Sequence, residues 1–176
     1  MLPTEIAARM DGVLRPGENG QLEAFLPSPK VQNHAAFLAT LDDGTLACAW
    51  FGGTLEGKAD ISIYASVMRP GVDVWGAWSQ LSDDPERSEQ NPVLWRNGEG
   101  KWQLLHTAQP AGNQDECLLR AREVFFDGER LTGGVPRTIG LPLGCFIRGR
   151  FVRRKDGAWM MPIFRCVSRP GQRWNG

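Results

Sequence analysis

The segment FGGTLEGKAD, residues 51–60, is the stretch of this sequence whose residue types best suit chemistry. It combines two carboxylates, Glu56 and Asp60, with paired glycines that allow a backbone to approach a ligand closely. A carboxyl group can donate a proton during catalysis, so both residues are candidate catalytic acids. For each residue the alternative is a purely structural carboxylate. An aspartate at the start of a strand, such as Asp60, often accepts hydrogen bonds from turn amides.

A second set of polar residues has side chains suited to holding a ligand. Asparagine and glutamine offer both hydrogen-bond donors and acceptors, as sugar hydroxyls require, and arginine suits an acidic group. The ordinary alternatives are a histidine that caps a strand and a polar turn in the run Asn113-Gln114-Asp115. The candidate substrate-binding residues are His34, Glu89, Gln90, Asn91, Gln114, Asp115 and Arg148.

Three of these residues open similar stretches of sequence. HAAFLATLDDGTLACAW begins at residue 34, NPVLWRNGEGKWQLLHT at 91 and RGRFVRRKDGAWMMPIF at 148, in two steps of 57. The turn glycines Gly44, Gly100 and Gly157 follow at steps of 56 and 57. Each unit is an apolar run, a turn and a second apolar run, which predicts a hairpin, and a repeat of this length without helical patterning indicates propeller blades. In a propeller the matching ends of the innermost strands meet at one mouth, so the three leading residues are expected to share a pocket.

The remaining strands complete this interpretation. The pattern predicts a short helical turn near residues 6–10 and strands at 21–26, 34–41, 45–51, 61–67, 78–81, 92–96, 102–108, 117–126, 147–153 and 158–165. We therefore divide the chain into an N-terminal segment, residues 1–26, and an incomplete propeller, residues 27–176, with about two and a half to three blades. An open ring leaves unpaired strand edges, so the sequence predicts that further chain, or a second copy in a homodimer, completes it.

Composition agrees with an all-β domain. The 176 residues include 21 Gly, 12 Pro and 7 Trp, and 41% are hydrophobic. Twenty basic residues balance twenty acidic ones, which gives no reason to expect nucleic acid or an anionic membrane as a partner. Four dispersed cysteines without a CxxC pair predict reduced core thiols, with no metal site and no cofactor. The N-terminus has no apolar signal region, which predicts a cytoplasmic protein.

Several motifs together resemble a known family. The runs NHAAFLATLDDGTLACAWFGGTLEGKADISIYAS, RSEQNPVLW, TAQPAGNQDE and GCFIRGRF with DGAWMMPIF are similar to the BNR-repeat, neuraminidase-like branch of the sialidase superfamily. The resemblance runs from about Pro27 to Phe164. It implies a six-bladed β-propeller, of which this chain matches the N-terminal half, and an exo-acting glycoside hydrolase that removes a terminal sugar from a glycan.

The resemblance also implies roles for individual residues. His34 stands at the spacing where sialidases carry the first arginine of a carboxylate-binding triad, and neutral imidazole lacks the planar fork of arginine. The family's general acid lies in the loop occupied here by Glu56 and Asp60. Its nucleophilic tyrosine and remaining arginines belong to later blades, so this chain alone is expected to be inactive. The alternative function is a glycan-binding propeller or interaction scaffold without catalysis.

Overall fold

The secondary structure is almost entirely β. The structure is a computed structural model that describes residues 3–110 and 114–167. Its helix is α1 (Pro3–Arg9), and two 3-10 turns span Glu18–Gly20 and Gln114–Glu116. The strands are β1 (Arg15–Pro16), β2 (Leu22–Glu23), β3 (Gln32–Thr40), β4 (Leu46–Gly53), β5 (Ser62–Met68), β6 (Ser79–Gln80), β7 (Arg87–Arg96), β8 (Trp102–Pro110), β9 (Leu118–Phe126), β10 (Leu131–Gly133), β11 (Arg137–Thr138), β12 (Cys145–Phe146), β13 (Val152–Arg153), β14 (Trp159–Met160) and β15 (Phe164–Arg165). Within the described ranges no helix has the length and apolar character needed to cross a bilayer. The predicted all-β class is confirmed.

Two antiparallel sheets form the main body of the fold. The first contains β3, β4, β5 and β6 in that order, and the second contains β7, β8, β9 and β10, with β11 also pairing with β9. A four-stranded meander whose strands follow chain order is the construction of a propeller blade. The turns after β3 and β7 place Gly44 and Gly100 at φ +87° and +82°, a region that glycine adopts without steric cost.

The sheets pack face to face because alternate side chains point to opposite sides of each strand. In β4, Ala47, Ala49 and Phe51 face the second sheet, and Cys48 and Trp50 face the opposite way, toward the N-terminal segment. The core between the sheets is completed from the second sheet by Leu94, Leu104, Val124 and Leu131. All of these side chains are buried. The first sheet is therefore covered on both faces, as an internal blade must be.

The third repeat forms a much less regular hairpin than the sequence predicts. β12 pairs with β15 and β13 with β14, and the residues between them are unpaired. Pro162 lies in this gap and supplies no backbone N–H. Opposite it, a Cβ atom at Gly149 would come within 2.8 Å of the Pro162 ring. The predicted strands at 147–153 and 158–165 are therefore wrong over their central residues.

The third unit nevertheless packs against both earlier blades. Ile147 is buried in a cluster with residues of the second sheet, and the Phe151 ring stacks on Trp95 with centroids 4.4 Å apart. Arg150 reaches the first sheet, where its Nη2 donates to the Leu38 carbonyl at 2.6 Å. The inner strands of all three units thus converge, and the fold is a partial β-propeller.

A group of charged side chains is buried between the first two sheets. Glu89 on β7 and His106 on β8 have fully buried side chains, with His106 Nδ1 3.6 Å from Glu89 Oε1. Arg122 Nη2 lies 3.5 Å from the same oxygen. Arg120 Nη1 bonds Asp84 Oδ2 at 2.5 Å and lies 3.6 Å from Glu89 Oε1. The three nitrogens around Glu89 therefore lie farther from its carboxylate oxygen than in ordinary hydrogen bonds.

Burial decides the protonation of this cluster. It raises the pKa of the Glu89 carboxyl. Burial, with the nearby positive charge of Arg122, lowers the pKa of His106 from 6.5 to about 3. His106 is therefore neutral in the folded protein at neutral pH.

The first prediction concerns the pH dependence of stability. The unfolded chain protonates His106 below pH 6.5, whereas the folded chain does so only near pH 3, so acidification between these values favours unfolding. Glu89 acts in the opposite direction, since its raised pKa makes the folded state hold a proton that the unfolded state releases. Both wild type and His106→Gln contain Glu89, so the difference between their free energies of unfolding isolates the effect of His106. The wild-type minus variant free energy of unfolding should fall by about 2 kcal/mol from pH 7 to pH 5, at about 1.4 kcal/mol per pKa unit.

Urea unfolding of both proteins at each pH measures this difference. If the free energies of unfolding of wild type and His106→Gln changed by the same amount between pH 7 and pH 5, His106 would not be held neutral by burial.

Candidate functional site

Matching β-bulges interrupt the innermost strands of the first two blades. The register between β3 and β4 shifts between His34 and Phe37, and that between β7 and β8 shifts between Gln90 and Val93. Each bulge contains a residue with left-handed backbone, Ala35 at φ +50° and Asn91 at φ +54°. Asparagine is enriched in this region, whereas alanine is rare there. Bulges of this kind redirect side chains and are common beside functional sites.

The bulges show which residues of the three repeats are equivalent. Ala35 lies nine residues before Gly44 (44 − 35), and Asn91 lies nine before Gly100 (100 − 91). Arg148 stands nine before Gly157 (157 − 148), in the unpaired centre of the third hairpin. The structural equivalent of Asn91 and Arg148 is therefore Ala35, whereas the repeat spacing in the sequence predicted His34.

The bulged ends of the inner strands surround a cavity of about 360 Å³. Its polar lining consists of His34, Glu56, Asn91 and Arg148. The apolar lining consists of Ala35, Ala36, Phe37, Phe51 and Pro92. A concave site with mostly apolar walls and a few convergent polar groups is typical of a small-ligand pocket.

Two aromatic contacts orient the basic side chains. The His34 ring stacks on Phe51 with centroids 5.2 Å apart, and the Arg148 guanidinium lies over the Phe146 ring at 5.5 Å. His34, Glu56 and Arg148 are all exposed to solvent. Among the described residues that line the cavity, Arg148 is the one permanent cation and Glu56 the one carboxylate. The site therefore has one cationic and one acidic group.

The loop after β4 gives its two acidic residues different surroundings. Asp60 closes the loop, since its Oδ2 accepts from the Thr54 N–H at 2.8 Å and its Oδ1 from the Thr54 hydroxyl at 3.1 Å. The Glu56 backbone N–H donates to Gln32 Oε1 at 3.1 Å, and the Glu56 side chain faces the cavity. Glu56 is thus available to a ligand, whereas the Asp60 carboxylate is engaged in holding the loop.

The structure places the other candidate residues away from the cavity. Glu89 lies in the buried charge cluster, and the buried Gln90 donates its side-chain amide to Ser88 Oγ at 3.0 Å. Gln114 accepts a weak hydrogen bond from Cys166 Sγ at 3.7 Å, and Asp115 follows in the same 3-10 turn. Glu89 and Asn91, two residues apart, would share a face in a regular strand, and the bulge at Asn91 gives their side chains different directions. The neighbouring Asn113 lies outside the described residues.

β7 and its partner also hold residues that the sequence interpretation missed. β7 begins at Arg87 and not at 92, and it passes through Pro92 because the bulge accommodates a residue without an N–H. Thr107 on β8 lies opposite Gln90 and contacts Asn91 from beneath the cavity. A sequence signal for Thr107 existed in the hairpin register, but it required the position of the bulge.

Within the described residues, no group of three or more histidine, cysteine, aspartate or glutamate side chains is arranged to hold a metal ion. Burial raises the pKa of the Cys48 and Cys117 thiols to about 11. The described cysteines are free thiols, as the sequence predicted.

Comparisons with known proteins agree with this architecture. The family model described as a BNR repeat-like domain matches residues 44–175. Among solved structures, the protein titled Hadza microbial sialidase Hz136 superposes with a TM-score of 0.58 at 15% sequence identity. The alignment covers 73% of this chain and 31% of that chain, so this chain spans about a third of the sialidase's length. A comparison with curated protein sequences gives no match. This likeness establishes a sialidase-like propeller fold.

The second prediction tests the bulge in β3. A left-handed backbone costs an L-residue roughly 1–2 kcal/mol, and replacing alanine with glycine costs about 0.4–1 kcal/mol through the unfolded chain. Ala35→Gly should therefore raise the free energy of unfolding by about 0.5–1 kcal/mol. The matched control Ala36→Gly should lower it by a similar amount, because Ala36 has no positive φ. Chemical denaturation of both variants gives the answer, and equal effects of the same sign would contradict the bulge geometry.

Proposed function

The chain belongs to the BNR repeat-like domain family, and from this premise we propose that its cavity binds the terminal acidic sugar of a glycan and takes part in cleaving its glycosidic bond. The observation that carries the proposal is that polar side chains from three separate repeats line one cavity. Core packing does not require His34, Glu56 and Arg148 to meet, since all three are exposed. Their convergence favours a ligand.

Arg148 is the group that selects an acidic sugar. Its guanidinium is always charged and binds a carboxylate through two parallel hydrogen bonds. No described carboxylate forms an ion pair with it. Asn91 adds hydrogen-bonding capacity for hydroxyls, and the partly buried Phe37 ring offers apolar surface to the C–H face of a sugar ring. The cavity thus combines a charge contact, a polar contact and an apolar wall.

Glu56 is the proposed proton donor. A carboxylic acid placed beside the glycosidic oxygen protonates the leaving group as the bond breaks. Asp60 is less suited, because Thr54 engages both of its carboxylate oxygens. Glycosidases need a second working group on the other face of the bond, and the described lining residues supply no second carboxylate or tyrosine. We therefore propose that hydrolysis requires groups from outside the described residues.

One observation favours a second candidate, a glycan-binding propeller without catalysis. With Asp60 engaged in its loop, the cavity contains a single carboxylate, which is sufficient for binding but not for the usual two-group mechanism. Both functions use the Arg148 contact. Hydrolysis also requires Glu56 to donate a proton, whereas binding alone does not.

The third prediction tests the binding contact. Arg148→Met should weaken binding of N-acetylneuraminic acid or D-glucuronic acid by about 10–100-fold, since a charge-assisted hydrogen bond to a charged group contributes about 1.5–3 kcal/mol. Lys155→Met is the matched control, because it removes a positive charge from the same hairpin outside the cavity. Titration calorimetry at two salt concentrations measures both. Equal weakening by the two variants would show that net charge, and not this site, holds the sugar.

The fourth prediction separates hydrolysis from binding. In any preparation containing this chain that turns over a fluorogenic 4-methylumbelliferyl glycoside of either acid, Glu56→Gln should lower that turnover by about 100-fold or more. Its affinity for the free sugar should stay within about twofold of the wild type. Asp60→Asn should mainly lower stability, by about 1 kcal/mol, through its loop hydrogen bonds. Unchanged turnover in Glu56→Gln would reject the proton-donor role, and binding without turnover in the wild type would identify the glycan-binding alternative.

A further inference from the structure

Thr107 makes two hydrogen bonds immediately behind the cavity. Its side chain is buried, with 1% relative exposure. The Thr107 hydroxyl donates to the Gln90 backbone carbonyl at 3.0 Å, and Asn91 Nδ2 donates to Thr107 Oγ1 at 3.3 Å. One hydroxyl from β8 therefore connects two successive residues of the β7 bulge.

This arrangement favours one orientation of the Asn91 amide. A backbone carbonyl can only accept, so in its bond to Gln90 the Thr107 hydroxyl supplies its single proton. The remaining capacity of Thr107 Oγ1 is as an acceptor, and its neighbour on Asn91 must then be the NH2 group. The opposite orientation would set the Asn91 carbonyl oxygen against the Thr107 oxygen with no proton between them.

The backbone conformation of Asn91 also bears on the direction of its side-chain amide. Asn91 has a left-handed conformation within the bulge, which directs its side chain differently from that of a regular strand residue. Asn91 lines the cavity, and its Oδ1 receives no hydrogen bond from the described residues. With Nδ2 held by the buried Thr107, Oδ1 is the acceptor left for a ligand.

We propose that Thr107 is a positioning residue that turns the Asn91 carbonyl oxygen toward the cavity, so that the site recognises a hydroxyl donor on the bound sugar. This inference rests on the proposed function and refines its substrate class. Arg148 has only donors and requires an acceptor on the ligand, whereas Asn91 Oδ1 requires a donor. The ligand must therefore carry a carboxylate and a free hydroxyl at separate positions.

The experiment compares Thr107→Val, which keeps the shape but removes the hydroxyl, with Thr107→Ser, which keeps the hydroxyl. The first readout needs no ligand. In ¹⁵N–¹H spectra the Asn91 side-chain amide should give two separate proton signals, one of them protected from solvent exchange. Protection should persist in Thr107→Ser and be lost in Thr107→Val.

The second readout uses N-acetylneuraminic acid and D-glucuronic acid as probes. Thr107→Val should weaken binding of the probe that the wild type prefers by about 3–10-fold, and Thr107→Ser should change it less than twofold. Asn91→Gly retains the left-handed backbone but lacks the amide, so adding Thr107→Val to it should cause no further loss. This double-mutant comparison distinguishes action through Asn91 from general damage to β8.

The amide spectra test the positioning role alone, whereas probe binding also tests the proposed function. If neither probe binds the wild type, the proposed function is wrong, and the amide spectra alone decide whether Thr107 positions Asn91. If Thr107→Val leaves both the amide protection and the affinity unchanged, the positioning role is overturned. It is also overturned if Thr107→Val weakens binding equally in the wild-type and Asn91→Gly backgrounds.

Discussion

Burial of both faces of the first two sheets is the constraint on which the rest of this structure depends. In the first sheet, Ala47 and Ala49 face the second sheet while Trp50 faces the N-terminal segment, so one strand contributes to two interfaces. Small side chains on the inner face let the sheets approach closely and bring β3 beside β7. The cavity follows from this packing, because its residues stand at and beside the bulges of these inner strands. A change that separates the blades would therefore disperse the site without altering any of its residues.

The strand β7 contributes both to the buried charge cluster and to the cavity. Glu89 faces the interface between the sheets, where buried basic groups offset its charge, and Asn91 faces the cavity. Burying a charge is costly unless it is paired, so removal of one partner would leave an uncompensated charge between the blades. The bulge between the two residues allows one strand to present a buried carboxylate and a ligand-facing amide. Thr107 closes the same bulge from β8.

Sequence reasoning succeeded where local rules act and failed where long-range contacts intervene. The hairpin turns were predicted because glycine is needed at a positive φ, as at Gly44 and Gly100. The third hairpin was predicted too regular, since the meeting of Pro162 with Gly149 depends on which residues pair. Glu89 was grouped with Asn91 as a substrate contact because they are neighbours in sequence. The bulge gives their side chains different directions, and Glu89 lies where only folding brings Arg122 and His106 beside it.

The sequence alone determined the repeat length, the order of the strands and the resemblance that names the family, because these are recorded in residue types at fixed spacing. It also identified Glu56 as a candidate catalytic acid, and Asn91 and Arg148 as residues able to bind a sugar. Only the tertiary structure decided that Ala35, and not His34, is the counterpart of Asn91 and Arg148 in the first repeat. It also decided that the Asp60 carboxylate is engaged by Thr54. The orientation of the Asn91 amide was also decided there, since it depends on a hydroxyl sixteen residues away in sequence. Spacing along a chain specifies local conformation, whereas hydrogen-bond partners are set by which strands meet in space.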